Sequence, residues 1–515
     1  MKTFKNPILP GFYPDPSICR VHDDYYLVTS TFAYFPGIPV FHSKDMINWR
    51  QIGNALNRKE QLPLAGARVS RGIFAPTIRH HDGIFYIVTT NVDHGGNFIV
   101  TAKDPAGPWS DPYWLKDAPG IDPSLFFDDD GSCWYHGTAD RREGAKYNGD
   151  NEIYLQRLDL ETMQLVGERY ALWHGALKDA IWPEAPHIYK KDGWYYLLIA
   201  EGGTAHEHAV TVARSKTLTG SYEGAKINPI LTHRHLGRDY PIVNVGHGDL
   251  VQTQHGYWHM VLLASRPYGG YYRNLGRETF LVPVTWEDGW PIVNYGVGIA
   301  QEITPAPNLP SGETISFDTY YDDFDSTLDF RWLHLRNPVA TDYVTDKASH
   351  IGLSLNRNRL SQLDTVSYLA LRQQHKSFTI TTKMEFTPVG NNECAGLALF
   401  QSHEYHYIFA VATLDDKRII RLICCEGGEE KVIAEQEVKK LAVVYLQAHA
   451  KEQQLSFSYS YDNESFELLA NDIDARMLST DVAGGFVGTT LGLYATSNGI
   501  ASNNVAYFDW IRYES

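Results

Sequence analysis

The chain has 515 residues, 13% aromatic and 21% charged, with a formal net charge of -16 at pH 7. That length allows two domains with cores of their own, and the acidic balance excludes a nucleic-acid partner, for which a basic stripe is expected. No run of about 18 apolar residues occurs, so neither a membrane span nor a membrane partner is expected.

The amino-terminal MKTFKNPILPGF lacks an apolar h-region, so no signal peptide is expected. In GFYPDPSI, residues 11–18, Asp15 stands between Pro14 and Pro16, whose rings stiffen the backbone on both sides. CRVHDDYYLVTST then reads as a strand, a turn at Asp23-Asp24 and a second strand of aromatic and β-branched residues. The same unit returns as FAPTIRHHDGIFYIVTTN (74–91), IDPSLFFDDDGSCWYHGTA (121–139), EAPHIYKKDGWYYLLIAE (184–201) and GHGDLVQTQHGYWHMVLLA (246–264). These later copies turn at Asp-Gly or His-Gly between apolar runs, a strong hairpin signal. A trailing strand–turn–strand segment, such as VFHSKDMINWRQIG or FLVPVTWEDGWPIVN, brings each copy to about four strands, at intervals of roughly 45–65 residues. Four-stranded units that cannot bury their faces alone make a propeller. An all-β fold is expected, with a five-bladed β-propeller over residues 1–302.

The repeats stop near Gly298, and the Pro-, Ser- and Gly-rich ITPAPNLPSGETISF marks residues 303–320 as a linker or strap. Alternating runs such as SFTITTKMEF, YHYIFAVAT and QLSFSYSY then place a β-sandwich of jelly-roll, concanavalin A-like type over residues 321–515. Cys19, Cys133, Cys394, Cys424 and Cys425 are scattered and lack metal spacing, so they read as reduced core residues of a cytoplasmic protein.

Aligning the five copies on Pro16, Pro76, Pro123, Pro186 and Gly248 puts Asp15, Ala75, Asp122, Ala185 and His247 at equivalent positions, with Glu184 one step back. If the first strand of each blade lines the central channel, three carboxylates and a histidine converge at one mouth. Packing alone gives no reason to crowd like charges there, because each needs solvation or a partner.

NPILPGFYPDPSI, IDPSLFFDDDG, EAPHIY and GRETFLVPVTWEDGWP, in that order, resemble glycoside hydrolase family 43 in its β-xylosidase-like branch, and the resemblance spans nearly the whole chain. It implies Asp15 as general base, Glu184 as general acid and Asp122 as the carboxylate that orients the acid and raises its pKa. It further implies Arg277 at the pocket floor and His247 on the propeller axis, beside a calcium ion in some relatives, with no cofactor required. Phe32 matches an aromatic pocket wall, Phe74 stands where several xylosidases have tryptophan, and Phe486 matches an aromatic that the sandwich carries to the pocket mouth. Relatives are often homo-oligomers, and the implied partner here is a xylo- or arabino-oligosaccharide.

The reaction implied is hydrolysis with inversion, for which the acid and base stand roughly 6.5–9.5 Å apart to admit a water. A charge on Asp122 at ~6 Å from Glu184 would disfavour ionisation of the acid by about 3 kcal/mol at an effective dielectric of ~20. Arg277 is expected closer to Asp15 than to Glu184, since it would otherwise oppose that shift. The activity expected is an exo-acting β-D-xylosidase releasing xylose from the non-reducing ends of xylooligosaccharides. The alternatives are an α-L-arabinofuranosidase, one enzyme with both activities or, more distantly, a non-catalytic carbohydrate-binding propeller. Within the cell, such an enzyme would meet imported short fragments.

Overall fold

Five antiparallel sheets succeed one another from Ser17 to Val293 in a computed structural model that describes residues 3–515 other than 178, 306–307 and 440. Blade I comprises Ser17–Val21, Asp24–Val28, Gly37–Ser43 and Arg50–Leu56. Blade II comprises Ile73–His81, Ile84–Asn91, Gly96–Ala102 and Tyr113–Trp114, and blade III comprises Ile121–Phe127, Cys133–Asp140, Asn151–Asp159 and Gln164–Trp173. In blade IV, Glu184–Lys191, Trp194–Glu201 and Ala209–Ser215 are edged by the two short pieces Glu223–Gly224 and Leu231–Thr232. Blade V comprises Val243–Gln252, Trp258–Ser265, Glu278–Glu287 and Trp290–Val293. The five-bladed propeller read from the repeats is the fold observed, with the first strand of each blade, the one at its Pro or Gly register residue, innermost.

Cross-blade hydrogen bonds tie the inner strands together. Thr77 of blade II donates to the Pro123 carbonyl of blade III (2.9 Å), and Ser124 of blade III bonds His187 Nδ1 of blade IV (3.1 Å). Tyr189 of blade IV and Ser17 of blade I both donate to Asp249 of blade V, at 2.6 and 2.7 Å. The ring is closed outside the blades, where Thr3–Lys5 pairs with Ile303–Pro305. Within the segment read as a linker, positions 306–307 lie outside the described residues. Further on, Ile315 N–H donates to Asn48 and Phe317 packs against the core beneath blade I, so this part runs as a strap along the propeller.

Four blades share one irregularity at the start of the inner strand. Asp15, Asp122, Ala185 and His247 have φ of 55°, 53°, 53° and 51°, in the left-handed region. The pairing of each inner strand with the next slips just there in blades II to V, between Phe74 and Thr77, Ile121 and Ser124, Glu184 and His187, and Gly246 and Asp249. A bulge re-aims a side chain, and a non-glycine residue held left-handed costs on the order of 1–3 kcal/mol. Strain repeated at equivalent positions of a ring points to a site at that mouth.

Two eight-stranded sheets follow and enclose a core that includes Leu353, Ile380, Phe409, Leu446 and Phe508. Helical structure among the described residues is limited to Thr480–Ala483 and three short 3-10 turns. The second sheet does not stop at the sandwich. Its edge strand Leu333–Leu335 pairs with Tyr34–Phe35 of blade I, and Arg336 N–H donates to the Ala33 carbonyl (2.7 Å). Phe12, Phe32, Tyr34 and Val69 of the propeller share one buried cluster with Leu333, Tyr368, Val487 and Tyr494 of the sandwich. Buried Arg372 of the sandwich stacks on the Phe12 and Tyr13 rings and donates from Nε to the Phe12 carbonyl (2.9 Å), pinning the segment that leads to Asp15.

Candidate active site

Each residue singled out from the sequence reaches one cavity of about 380 Å³, lined by Asp15, Phe32, Phe74, Asp122, Glu184, His247, Arg277 and Phe486 together with Ala75, Ile121, Trp182, Gly203, Thr204 and His208. The left-handed turns at the starts of the inner strands supply Asp15, Asp122, Glu184 and His247 from blades I, III, IV and V. Arg277 comes from the loop before the third strand of blade V, and that loop is anchored on the sandwich. There Arg273 pairs with Asp481 (2.9 Å), Asn274 donates to the Ala475 carbonyl (2.6 Å), and Thr489 N–H donates to the Asn274 carbonyl (2.8 Å).

Asp15 is 5% exposed and held at both oxygens. Arg277 Nη1 donates to Oδ1 at 2.9 Å, the Ser30 hydroxyl donates to Oδ2 at 2.6 Å, and His247 Nδ1 lies 3.5 Å from Oδ1. Burial alone would raise the pKa of this carboxyl, but Arg277, then His247 and Ser30, outweigh it and hold it below the ordinary value. Among the described residues Asp122 has only the Ala185 N–H as a donor, to Oδ2 at 3.2 Å. Burial first, and then the charge of Asp15, push it up to about 6 against the pull of His247 and Arg277. Glu184 is raised well above its ordinary value, first by burial and then by Asp122 and Asp15. The sequence reasoning gave Asp122 the leading part in that shift. The structure corrects the order, because the acid has no hydrogen-bond donor among the described residues to offset its desolvation, and the neighbouring charge adds to an effect already present.

Arg277 lies beside Asp15, as expected, and its Nη1 also donates to Thr204 Oγ1 (3.1 Å). Its guanidinium carbon stands 5.7 Å from the Phe32 ring centroid and 5.3 Å from that of Phe486. The three phenylalanines form one aromatic wall: Phe32 and Phe486 stack at 6.2 Å, and Phe74 meets them edge-on at 5.6 and 5.9 Å. Ser70, from the long segment before blade II, accepts the Phe486 N–H at 2.8 Å and fixes the sandwich loop over the cavity.

Among the described residues no group of three or more His, Cys, Asp or Glu side chains could hold a metal. His247 has Asp15 as its carboxylate neighbour, and both Asp15 oxygens already accept hydrogen bonds. Deeper in the channel Asp249 is taken by Arg79 (2.9 Å), Ser17 and Tyr189. Calcium takes six to eight oxygens, so the side chains beside His247 do not by themselves make a calcium site.

Of the lining residues that the sequence does not single out, three carry a polar or aromatic side chain, Trp182, Thr204 and His208. Thr204 and His208 lie in EGGTAHEH, a glycine-rich loop after the second strand of blade IV, and that composition was the available signal. His208 donates from Nδ1 to the Asn244 carbonyl (3.0 Å). Burial holds its pKa down to about 3, so the ring is neutral and its Nε2 is an acceptor. Trp182 stands two residues before Glu184 and gave no signal beyond its residue type.

A propeller that aims three carboxyls and an arginine into a cavity walled by aromatic rings is the architecture of a glycoside hydrolase, whose chemistry needs one protonated and one ionised carboxyl. The profile of glycosyl hydrolases family 43 matches residues 4–291, and that of the beta xylosidase C-terminal concanavalin A-like domain matches residues 321–514. The chain belongs to glycosyl hydrolases family 43. It is similar to a xylosidase/arabinosidase of Butyrivibrio fibrisolvens, 50% identical over 99% of both chains. It is also similar to a non-reducing end alpha-L-arabinofuranosidase of Bacteroides ovatus, 39% identical over 99% of this chain and 94% of the relative. Among solved structures, the xylan beta-1,4-xylosidase of Bacillus halodurans superposes with a TM-score of 0.93 at 35% identity, covering 99% of this chain and all of that one (100%).

Proposed function

We propose that this glycoside hydrolase is an exo-acting, inverting β-D-xylosidase that releases xylose from the non-reducing ends of xylooligosaccharides. The observation that carries the chemistry is the opposite displacement of two carboxyls in one cavity, Asp15 held down and Glu184 pushed up. Near neutral pH Asp15 is the base and Glu184 the acid. Glu184 passes its proton to the glycosidic oxygen as the C1–O bond breaks. A water on the other face of the ring bonds to C1 and yields a proton to Asp15, so no covalent intermediate forms. Asp122, fixed by the Ala185 N–H next to the acid, keeps Glu184 protonated and in place. Arg277 holds Asp15 ionised and, with neutral His208, faces the sugar hydroxyls. No step uses a metal or cofactor.

A second reading, cleavage of α-L-arabinofuranosides in the same cavity, is supported by the likeness to the xylosidase/arabinosidase of Butyrivibrio and the alpha-L-arabinofuranosidase of Bacteroides. Parallel assays on nitrophenyl β-xylopyranoside and α-L-arabinofuranoside, with product analysis on xylobiose, separate the readings. Arabinofuranoside turnover alone would overturn the first, and no turnover on either would overturn both. Action in the cytoplasm belongs to the same proposal and is supported by five cysteines that are all free thiols.

A further inference from the structure

The cavity has one aromatic residue that neither the aromatic wall nor the carboxyl chemistry uses. Trp182 is 37% exposed, whereas Phe32 is 1% exposed, and it lines the cavity from the connection between blades III and IV. Its φ of 49° is an outlier for so bulky a residue. The backbone around it is fixed: Trp182 N–H donates to the Gly149 carbonyl (2.7 Å) and Gly202 N–H to the Ile181 carbonyl (2.9 Å). One edge of the indole lies so close to Gly149 that a Cβ there would stand 2.9 Å from Nε1, and another so close to Gly203 that a Cβ would stand 2.7 Å from Cε3. Both glycines have left-handed φ, 82° and 72°. Two loops have thus given up side chains to seat an indole that remains open to the cavity.

The position says what the exposed surface is for. A general acid must face the oxygen of the leaving group, so the leaving group lies on the side of Glu184. Trp182 is two residues from Glu184, in the connection between blades III and IV. The aromatic wall and Asp15 belong to blades I and II and the sandwich loop. The sugar whose bond is cut therefore sits toward Phe32 and Arg277, and what departs passes Trp182. A broad, rigid ring with few rotatable bonds suits the apolar face of a sugar.

Resting on the reading of this cavity as an exo-glycosidase site, we propose that Trp182 is the stacking platform for the leaving group, selecting substrates whose aglycone is a sugar ring or another flat group. The test compares Trp182→Leu, which keeps bulk against the two glycines but loses the flat face, with wild type and with Trp182→Tyr. Each is assayed on glycone-matched pairs: xylobiose against methyl β-xyloside, and the corresponding arabinofuranosides. In Trp182→Leu, kcat/KM is expected to fall by about tenfold or more, equivalent to ~1.4 kcal/mol, for the disaccharide, and by less than about threefold for the methyl glycoside. Trp182→Tyr should recover most of the loss. Equal losses on both members of a pair, which is what a displaced Glu184 would give, or an unchanged disaccharide, would overturn the assignment. If wild type cleaves the xyloside or arabinofuranoside pair and the variant shows no such split, only this inference fails. If wild type cleaves neither pair, the reading of the cavity fails first.

Discussion

Replacing Asp122 by asparagine should make the protein more stable as it makes the enzyme worse. The carboxyl is 7% exposed, and its pKa is raised from 3.8 to about 6, by burial first and then by the charge of Asp15. Below pH 3.8 it is protonated in both the folded and unfolded chain, and the substitution gains nothing. Between 3.8 and about 6 the unfolded chain ionises while the folded one holds its proton, so the wild type loses stability as pH rises. Above about 6 the loss is complete. A rise from 3.8 to about 6 corresponds to about 3 kcal/mol near pH 7.5 and about 1 kcal/mol at pH 4.5. Asparagine keeps an oxygen for the Ala185 N–H, so the bulge itself is preserved. Denaturant midpoints of wild type and Asp122→Asn between pH 4.5 and 7.5 check this, with the variant's advantage growing across the range. The same variant should move the basic limb of kcat/KM to lower pH, because Asp122 is one of the charges that raise Glu184. A variant less stable than wild type at pH 7.5, or an advantage independent of pH, would refute the account of a buried carboxyl kept for function.

Asp15→Ala and Glu184→Ala should each cut turnover by ~10²-fold or more. Glu184→Ala should partly recover on a nitrophenyl glycoside, whose leaving group needs no proton, and Asp15→Ala should not; equal losses on both substrates would contradict the roles. Arg277→Ala removes the largest influence holding Asp15 down and one that lowers Glu184, so both limbs of the pH profile should move to higher pH; an acid limb that stays in place would count against the ion pair. A chain ending at Pro305 exposes Phe12, Phe32, Tyr34 and Val69, at about 1.5–3 kcal/mol each or roughly 6–12 kcal/mol together. That rivals the about 5–15 kcal/mol by which a typical domain is stable, so it should be insoluble or inactive, and unchanged kinetics in solution would be the contrary result. Xylotriose should release xylose and xylobiose first; rapid internal cleavage of xylan would mean that the aromatic wall does not close the cavity.

What was legible in the sequence was whatever repeats. Asp15, Asp122, Glu184 and His247 were found because each sits at the start of a hairpin present five times, and the register that aligned them falls on the left-handed residues Asp15, Asp122, Ala185 and His247. Pro16, Pro123 and Pro186 follow three left-handed residues, so the proline that made the copies recognisable belongs to the device that turns the neighbouring side chain into the cavity. Trp182, Thr204 and His208 lie on inter-strand connections that differ from blade to blade, and no internal comparison could mark them. The sharing of a sheet between Tyr34–Phe35 and the sandwich was invisible for another reason. A two-residue strand carries no periodicity, and its partner lies about 300 residues away, where alternation describes a face but not what it meets. The order of effects on Glu184 was likewise beyond reach, because charge can be counted along a chain whereas desolvation depends on every atom around the group. The same distinction explains why the cavity is built from two domains. Arg372 and the loop of Phe486 supply no carboxyl, yet one pins the segment leading to Asp15 and the other completes the wall beside Arg277. The sandwich contributes burial, which a repeat of blades open at its mouth does not provide by itself.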